Sequence, residues 1–154
     1  MTKGPAVTVT IKPLTERDFF AWYALFTEYA ASADIELTDE HAMRVWTKLQ
    51  SDDAHAVVAT DEGGETVGLV HFIGIERLLQ GDSTFLIEDL YVAEHARRAG
   101  VATALVEHVR TRAEEEGRAA VRWVSRPDDP AAKALHDKFA ASAGGWVLHD
   151  LPVG

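Results

Sequence analysis

The 154-residue chain contains no cysteine, and several other features are missing or scarce. Without thiols there is no disulfide bond, no thiolate metal ligand and no cysteine nucleophile, a composition that is usual in a reducing compartment. No segment approaches the ~20 apolar residues of a membrane-spanning helix, and residues 1–12 lack the apolar core of a secretory signal. We therefore expect a cytoplasmic protein that does not bind a membrane.

Positive charge is also scarce, with 15 lysines and arginines against 25 aspartates and glutamates, and the formal net charge is −10. An acidic surface repels nucleic acid phosphates and suits a small cationic partner, although acidity serves solubility alone in many proteins. The acidic charge argues against a nucleic acid partner. The seven histidines show no metal-binding spacing, so we do not expect a metal either. His71 lies in an apolar run, which is typical of a core histidine with a hydrogen-bond partner.

The spacing of apolar residues predicts a single α/β domain over residues 1–154. Residues 7–14 alternate as in a half-exposed strand, and the capping sequences at Thr15 and Thr38 begin two helices with helical apolar spacing. The predicted order is strand, two helices, three strands, helix, strand, helix and strand, with the last strand at residues 146–151.

Two arginines and a glycine stand just before the third predicted helix. The first N–H groups of a helix and its positive end attract anions, and Arg97 and Arg98 add guanidinium groups suited to phosphate oxygens. Gly100 removes a side chain where an anionic ligand would approach the backbone. The pattern predicts a phosphate or pyrophosphate site; a basic turn in which Gly100 permits close packing is the alternative.

Two adjacent carboxylates, Glu88 and Asp89, interrupt an apolar run that is typical of a buried strand. Because side chains alternate along a strand, we expect the two to point to opposite faces. Burial of an unpaired carboxylate is costly, so each needs a partner or a function. A carboxylate can bind a protonated amine and remove its proton. For Asp89, pairing with a buried arginine or histidine is an equal alternative.

The segment from Val92 to Ala102 reads V-x-x-x-x-R-x-x-G-x-A and resembles the acetyl-CoA loop of the GNAT superfamily of N-acetyltransferases, with alanine last where glycine is common. The predicted element order is also that of the family, whose α/β fold has a mixed central sheet flanked by helices. The resemblance implies that backbone amides hold the pyrophosphate of acetyl-CoA and that the strand end pairs with its pantetheine arm. The residues implied in cofactor binding are Leu90, Tyr91, Val92, Arg97, Arg98, Ala99, Gly100, Val101, Ala102, Thr103 and Asp129.

The string FLIEDLYV, residues 85–92, resembles the spermidine/spermine acetyltransferase group of the same superfamily. This resemblance implies that Glu88 is the catalytic base and that Glu88 and Asp89 bind the nitrogens of a cationic amine, a polyamine or a lysine-like molecule. Glu28 falls where the first helix of the superfamily borders the acceptor channel, which makes it a further candidate amine ligand. A solvated acidic face explains Glu28 equally well. Direct attack of the amine in a ternary complex fits the absence of cysteine, the commonest covalent acyl carrier.

The family pattern N-x-x-A-x-x-L-Y is matched by Asp129-Pro-Ala-Ala-Lys-Ala-Leu-His136. Histidine therefore stands where a tyrosine usually protonates the departing CoA thiolate, and Asp129 stands at the asparagine position. The resemblance implies that His136 is the proton donor or a hydrogen-bond partner of the sulfur. A helical histidine with no role is equally open.

These features together predict an acetyl-CoA-dependent N-acetyltransferase that acts on a primary amine of a small cationic acceptor. Two alternatives stay open. One is an acetyltransferase of proteins or peptides, and the other is a non-catalytic acyl-CoA-binding module, which the missing tyrosine permits. The habit of the family implies a homodimer.

Overall fold

The computed structural model describes residues 8–141, 144 and 146–154. Contacts divide the chain into one unit that ends at Val124 and a second unit from Ser125 to Gly154. The single domain expected over residues 1–154 stays a prediction. The helices and strands in the described part of the first unit are β1 (Val9–Pro13), α1 (Phe19–Ser32), α2 (Asp39–Leu49), β2 (His55–Asp61), β3 (Thr66–Arg77), β4 (Asp82–Val92), α3 (Val101–Glu115) and β5 (Ala120–Trp123).

The strands form one mixed sheet in the order β1-β2-β3-β4-β5. The pairs from β1 to β4 are antiparallel, whereas β4 and β5 run parallel, so the connection between these two strands needs a crossover, which α3 supplies. The predicted fold class, a mixed central sheet flanked by helices, is confirmed.

The predicted helix starts are present with the expected capping chemistry. The hydroxyl of Thr38 accepts the N–H of His41 at 3.1 Å, one turn into α2. The carboxylate of Asp18 accepts the N–H of Thr15 at 2.8 Å, but a single 3₁₀ turn, Glu16–Asp18, precedes α1. Both starts were predictable because capping depends on residues only three positions apart.

The two faces of the sheet carry different packing. An aromatic cluster that includes Trp22 and Phe26 of α1 covers one face and contacts Leu69 and Tyr91. On the other face, α3 lies so close to β3 that a Cβ on Gly68 would come within 2.9 Å of Val101 Cγ1. Gly68 is therefore the residue that lets the first turn of α3 approach the sheet.

The second unit contains one described helix, α4 (Pro130–Phe139), and no strand among its described residues. The strand predicted at residues 146–151 is therefore wrong: these residues form no regular structure, and the side chain of Trp146 is 75% exposed. A strand needs a neighbouring strand for its backbone hydrogen bonds, and apolar alternation alone does not provide one. Across both units, every described helix is too short or too polar to span a lipid bilayer.

Candidate active site

The pairing of β4 with β3 shifts by one residue at Glu88. Asp89 is opposite His71, whereas Ile87 is opposite Phe72, so Glu88 is an extra residue between two paired positions. Such a β-bulge bends the strand and reorients its side chains. Glu88 therefore lies at a break in the ladder and not within a regular strand.

The bulge also changes which face of the sheet the following residues reach. Phe85 faces α3, since the guanidinium carbon of Arg112 lies 5.7 Å from its ring centroid. Tyr91 faces α1, since its ring centroid lies 5.2 Å from that of Tyr29. Residues separated by an even number would share one face in a regular strand. The extra residue therefore moves the second half of β4 to the α1 face.

The edge of β4 that faces β5 opens at the same point. β5 pairs with β4 only as far as Ile87, and no described strand pairs with that edge beyond it. The N–H of Ala93 bonds to Val67 of β3 at 2.8 Å. Successive residues of a strand direct their backbone N–H and C=O groups to alternate edges, so the N–H and C=O groups of Leu90 and Val92 face the open edge. Tyr91, predicted to pair with pantetheine through its backbone, directs those groups to β3.

Glu88 is exposed, so the expectation that it is buried in the strand is wrong. The physical reason is the bulge, which places the residue where β4 and β5 separate. Among the described residues no hydrogen bond or ion pair engages its carboxylate. Glu88 is therefore an exposed carboxylate beside the open edge of β4, without a partner among the described residues, and its role as a base stays a prediction.

Asp89 has the partners that its partial burial requires. Its Oδ1 accepts the hydroxyl of Tyr29 at 3.0 Å, and its Oδ2 lies 3.0 Å from Nδ1 of His71. Burial acts to raise the pKa of Asp89, but the hydrogen bonds from His71 and Tyr29 outweigh it and lower the pKa below its usual value. Asp89 is thus a fixed anion, and pairing with a buried histidine is the arrangement found. Its contact with a substrate stays a prediction.

The three predicted substrate residues gather around two tyrosines. Burial, followed by the charges of Asp89 and Glu88, raises the pKa of Tyr29 to about 12. Burial and then the charge of Glu28 raise the pKa of Tyr91, while Arg97 acts in the opposite direction. Both hydroxyls therefore stay protonated at neutral pH. Asp89 is hydrogen bonded to Tyr29, and the adjacent Glu88 also adds negative charge near that hydroxyl, while the expectation that the two carboxylates point to opposite faces stays a prediction.

The turn before α3 has the features of an anion site. Arg98 and Gly100 adopt left-handed backbone conformations, with φ of 61° and 83°. A Cβ on Gly100 would meet no atom within 4 Å, so its conformation and not close packing calls for glycine there. The first helical acceptor is the carbonyl of Gly100, which binds the N–H of Ala104 at 3.0 Å. The N–H groups of residues 101–103 precede that bond, and no side chain caps them.

Comparison with known proteins identifies the family. The sequence profile described as the Acetyltransferase (GNAT) family matches residues 18–141. The chain belongs to the GNAT acetyltransferase family. Members of this family are N-acetyltransferases that use acetyl-CoA, so the protein is an enzyme of acetyl transfer.

Relatives of this GNAT protein act on different acceptors. The chain is 28% identical over 135 residues to a D-amino-acid N-acetyltransferase of Saccharomyces cerevisiae, with 86% of this chain and 84% of the relative covered. A ribosomal-protein-alanine N-acetyltransferase from Brucella melitensis shares 24% identity and superposes with a TM-score of 0.79, covering 96% of this chain and all of the other. AAC(6')-Iy, solved with the bisubstrate analog CoA-S-monomethyl-acetylneamine, shares 16% identity at a TM-score of 0.79, covering 96% and 99% of the two chains. The two structural likenesses show the fold alone.

In the second unit of the GNAT protein, the two predicted residues lie on or beside α4. Asp129 caps this helix, and its Oδ1 accepts the N–H groups of Ala131 at 3.0 Å and Ala132 at 3.3 Å. Nε2 of His136 is 3.4 Å from Oγ of Ser125. The catalytic role of His136 and the cofactor contact of Asp129 stay predictions. No group of three potential ligand side chains that could hold a metal ion occurs within the part of the chain that the structure describes.

Sequence reasoning missed the polar role of Tyr29. Its hydroxyl binds the carboxylate of Asp89, next to Glu88 in β4. The sequence signal for this role was the position of Tyr29 seven residues after Trp22, which places both side chains on the same face of α1. His71 is the core histidine with a partner that the sequence predicts, since it is 5% exposed and hydrogen bonded on both nitrogens.

Proposed function

We propose that this GNAT enzyme transfers the acetyl group of acetyl-CoA to the primary amine of a small cationic acceptor, either a polyamine or a lysine-like molecule. The observation that supports it best is Glu88, an exposed carboxylate without a partner among the described residues, located where β4 opens. Two further carboxylates, Asp89 and Glu28, act on the adjacent tyrosines. This local excess of negative charge favours a cationic acceptor.

Acetyl-CoA supplies the thioester, and two features of the chain suit its two ends. The open edge of β4 offers the backbone groups of Leu90 and Val92 to the amides of a pantetheine arm. The uncapped N–H groups at the start of α3, together with Arg97 and Arg98, suit a pyrophosphate. The carbonyl of Val92 already accepts Nε of Arg97 at 2.9 Å and keeps one lone pair for a ligand.

The proposed chemistry begins with the proton of the acceptor. A lysine-like ammonium has a pKa of about 10, and only the neutral amine attacks. Glu88 binds the ammonium and removes one proton, directly or through a water molecule. The nitrogen then forms a bond to the acetyl carbon while the bond from that carbon to sulfur breaks. A backbone N–H of β4 stabilises the developing oxyanion, and the acylated nitrogen loses its second proton to water. A protonated His136 donates a proton to the departing thiolate and is reprotonated from solvent.

The decisive experiment measures CoA release from acetyl-CoA with polyamines, lysine amide, D- and L-amino acids and short peptides as acceptors. We expect turnover with a cationic amine, and a fall in kcat of about a hundredfold or more in Glu88→Gln, the usual range for loss of a general base, with unchanged acetyl-CoA affinity. Glu76→Gln is the matched control, since Glu76 is an exposed glutamate at the far end of β3. An unchanged rate in Glu88→Gln would refute the assignment of the base.

The same panel of acceptors distinguishes the remaining candidate substrates. A D-amino acid is the second candidate because of the 28% identical yeast relative, and Arg97, whose guanidinium carbon lies 5.3 Å from the ring centroid of Tyr91, is a cation that its carboxylate could meet beside the acidic residues. Acetylation of peptides and not of diamines would favour a peptide or protein substrate. Tight CoA binding without turnover on any of these amines would point to an acceptor outside the panel. The cytoplasmic location and the homodimer stay predictions.

A further inference from the structure

Four side chains form a continuous chain of hydrogen bonds between α1 and the sheet. Nε1 of Trp22 donates to Nε2 of His71 at 2.9 Å, and Nδ1 of His71 lies 3.0 Å from Oδ2 of Asp89. The hydroxyl of Tyr29 donates to Oδ1 of Asp89 at 3.0 Å. Trp22 and Tyr29 lie two turns apart on one face of α1. The chain of bonds therefore begins on α1, crosses β3 and β4, and returns to α1.

The chemistry of the members determines the position of each hydrogen. An indole N–H can only donate, so Nε2 of His71 must be an unprotonated acceptor. His71 is then neutral with its hydrogen on Nδ1, and this hydrogen is donated to Asp89. An ionised carboxylate only accepts, so the Tyr29 hydroxyl must donate its proton to Asp89. All the hydrogens consequently point toward Asp89 from both ends.

This direction leaves the oxygen of Tyr29 as an acceptor for any molecule that approaches it. Water cannot easily reverse the direction, because Trp22 is fully buried and His71 is only 5% exposed. Glu88 immediately precedes Asp89 at the bulge of β4, next to the carboxylate that binds Tyr29, and it also only accepts hydrogen bonds when ionised. The Tyr29 oxygen and the Glu88 carboxylate therefore form a pair of acceptors that an N–H donor satisfies and a carboxylate or carbonyl group does not.

We propose that His71 is a positioning residue which, as a neutral imidazole held by Trp22, orients Asp89 and thereby makes the Tyr29 oxygen a specificity-determining acceptor for the N–H groups of the incoming amine. This role rests on the proposed function, because it assumes an amine beside Glu88. Tyr29 holds one N–H of the amine while Glu88 accepts another and takes the proton. No bond of Tyr29 or His71 is broken in the reaction.

Two substitutions of His71 separate this role from simple structural support. The amide nitrogen of His71→Asn lies near the position of Nδ1 and can still donate to Asp89, but it cannot accept from Trp22. The longer side chain of His71→Gln reaches toward Trp22 and leaves Asp89 without its donor. Each variant loses one buried hydrogen bond, so we expect similar losses of stability. Only His71→Gln removes the hydrogen bond between residue 71 and Asp89.

A pair of tyrosine variants on α1 provides the matched control. Tyr29→Phe removes the proposed acceptor oxygen. Tyr23→Phe removes a hydroxyl that donates to Asp39 at 2.5 Å, which is also a tyrosine–carboxylate bond but one that involves none of the four network residues. Both variants keep the aromatic ring, so packing is retained.

The test measures the Kd and KM of spermidine and lysine amide, with the acetyl-CoA Kd and the melting temperature as references. We expect the amine constants to rise about tenfold in Tyr29→Phe and His71→Gln, the factor that corresponds to one hydrogen bond to a charged group. His71→Asn should retain most of the amine affinity, and Tyr23→Phe all of it. Nitrogen NMR of wild-type His71 should show hydrogen on Nδ1 and none on Nε2.

The outcomes distinguish this proposal from the proposed function. An Nε2–H tautomer, or equal amine constants in His71→Asn and His71→Gln, would overturn the positioning role even if acetyl transfer is observed. Amine binding with the expected dependence on His71, but no acetyl transfer, would overturn the proposed function and leave the positioning role intact. Failure of both amines to bind would overturn the positioning role, while turnover on another class of acceptor would still establish the enzyme.

Discussion

Gly68 offers a sharp test of how packing between α3 and the sheet supports the cofactor site. In Gly68→Ala the new Cβ would lie 2.9 Å from Cγ1 of Val101 and 3.0 Å from Cδ1 of Leu105. Both neighbours are fully or almost fully buried, and Val101 is a stiff β-branched residue. Relief of the contact therefore requires a shift of α3 or of these two packed side chains.

The size of the effect follows from two opposing contributions. Overpacking of a buried site costs about 1–3 kcal/mol, while replacing glycine by alanine in a strand restores about 0.5–1 kcal/mol. We expect the free energy of unfolding of Gly68→Ala to fall by about 0.5–2 kcal/mol, which corresponds to a fall in Tm of roughly 2–6 °C. Acetyl-CoA affinity should fall as well, because Val101 begins the helix whose amides are predicted to hold the pyrophosphate.

The matched control lies on the same strand. A Cβ on Gly74 would also come close to a neighbour, but that neighbour is Nη1 of Arg118 at 3.0 Å, the end of a long side chain that can move. Gly74→Ala should therefore be neutral or slightly stabilising. Thermal unfolding and acetyl-CoA titration of both variants test the argument. If Gly68→Ala is as stable as Gly74→Ala and binds acetyl-CoA like the wild type, α3 does not depend on the close approach at Gly68.

Two further substitutions test the turn and the buried carboxylate. Gly100→Ala places a side chain at a φ of 83° and should lower the free energy of unfolding by about 1–2 kcal/mol. We also expect a weaker affinity for acetyl-CoA, measured by calorimetry. An unaltered affinity would show that the turn does not contribute to cofactor binding. The lowered pKa of Asp89 means that its stabilising contribution is present above the unfolded value of about 3.9 and is lost as the pH falls through the folded value. Asp89→Asn should therefore lower the free energy of unfolding at neutral pH by about 1–3 kcal/mol, and the variant should lose less stability than the wild type as the pH falls. Urea unfolding with the same pH dependence in both proteins would contradict this.

The helix starts and the left-handed turn before α3 were predictable because their causes are local. Thr38 and the N–H that it caps are three residues apart, and the left-handed backbone at Gly100 depends on the absence of a side chain. The alternation and the helical spacing of apolar residues were sufficient to predict the five strands and the four α-helices of the described chain. They failed at residues 146–151, where an apolar pattern is present but no partner strand is paired.

The surroundings of Glu88 depended on a long-range feature. The apolar run of β4 predicts that Glu88 is buried, and this expectation is wrong because a bulge inserts Glu88 between the pairs of Ile87 and Asp89 with β3. Whether a strand bulges depends on the register of its neighbour and on the packing of both faces. Neither is written in the strand's own residues.

The sequence by itself determined the GNAT fold, the turn before α3 and the presence of a carboxylate pair, because element order, capping and turn residues act over a few positions. The tertiary structure alone decided that Glu88 is exposed with no partner among the described residues, whereas Asp89 is bound by Tyr29 and His71. Trp22, His71 and Asp89 lie on three different elements that only the packing of α1 on the sheet brings within hydrogen-bond distance. The direction of each hydrogen, and so the kind of group that Tyr29 can accept, follows from that packing.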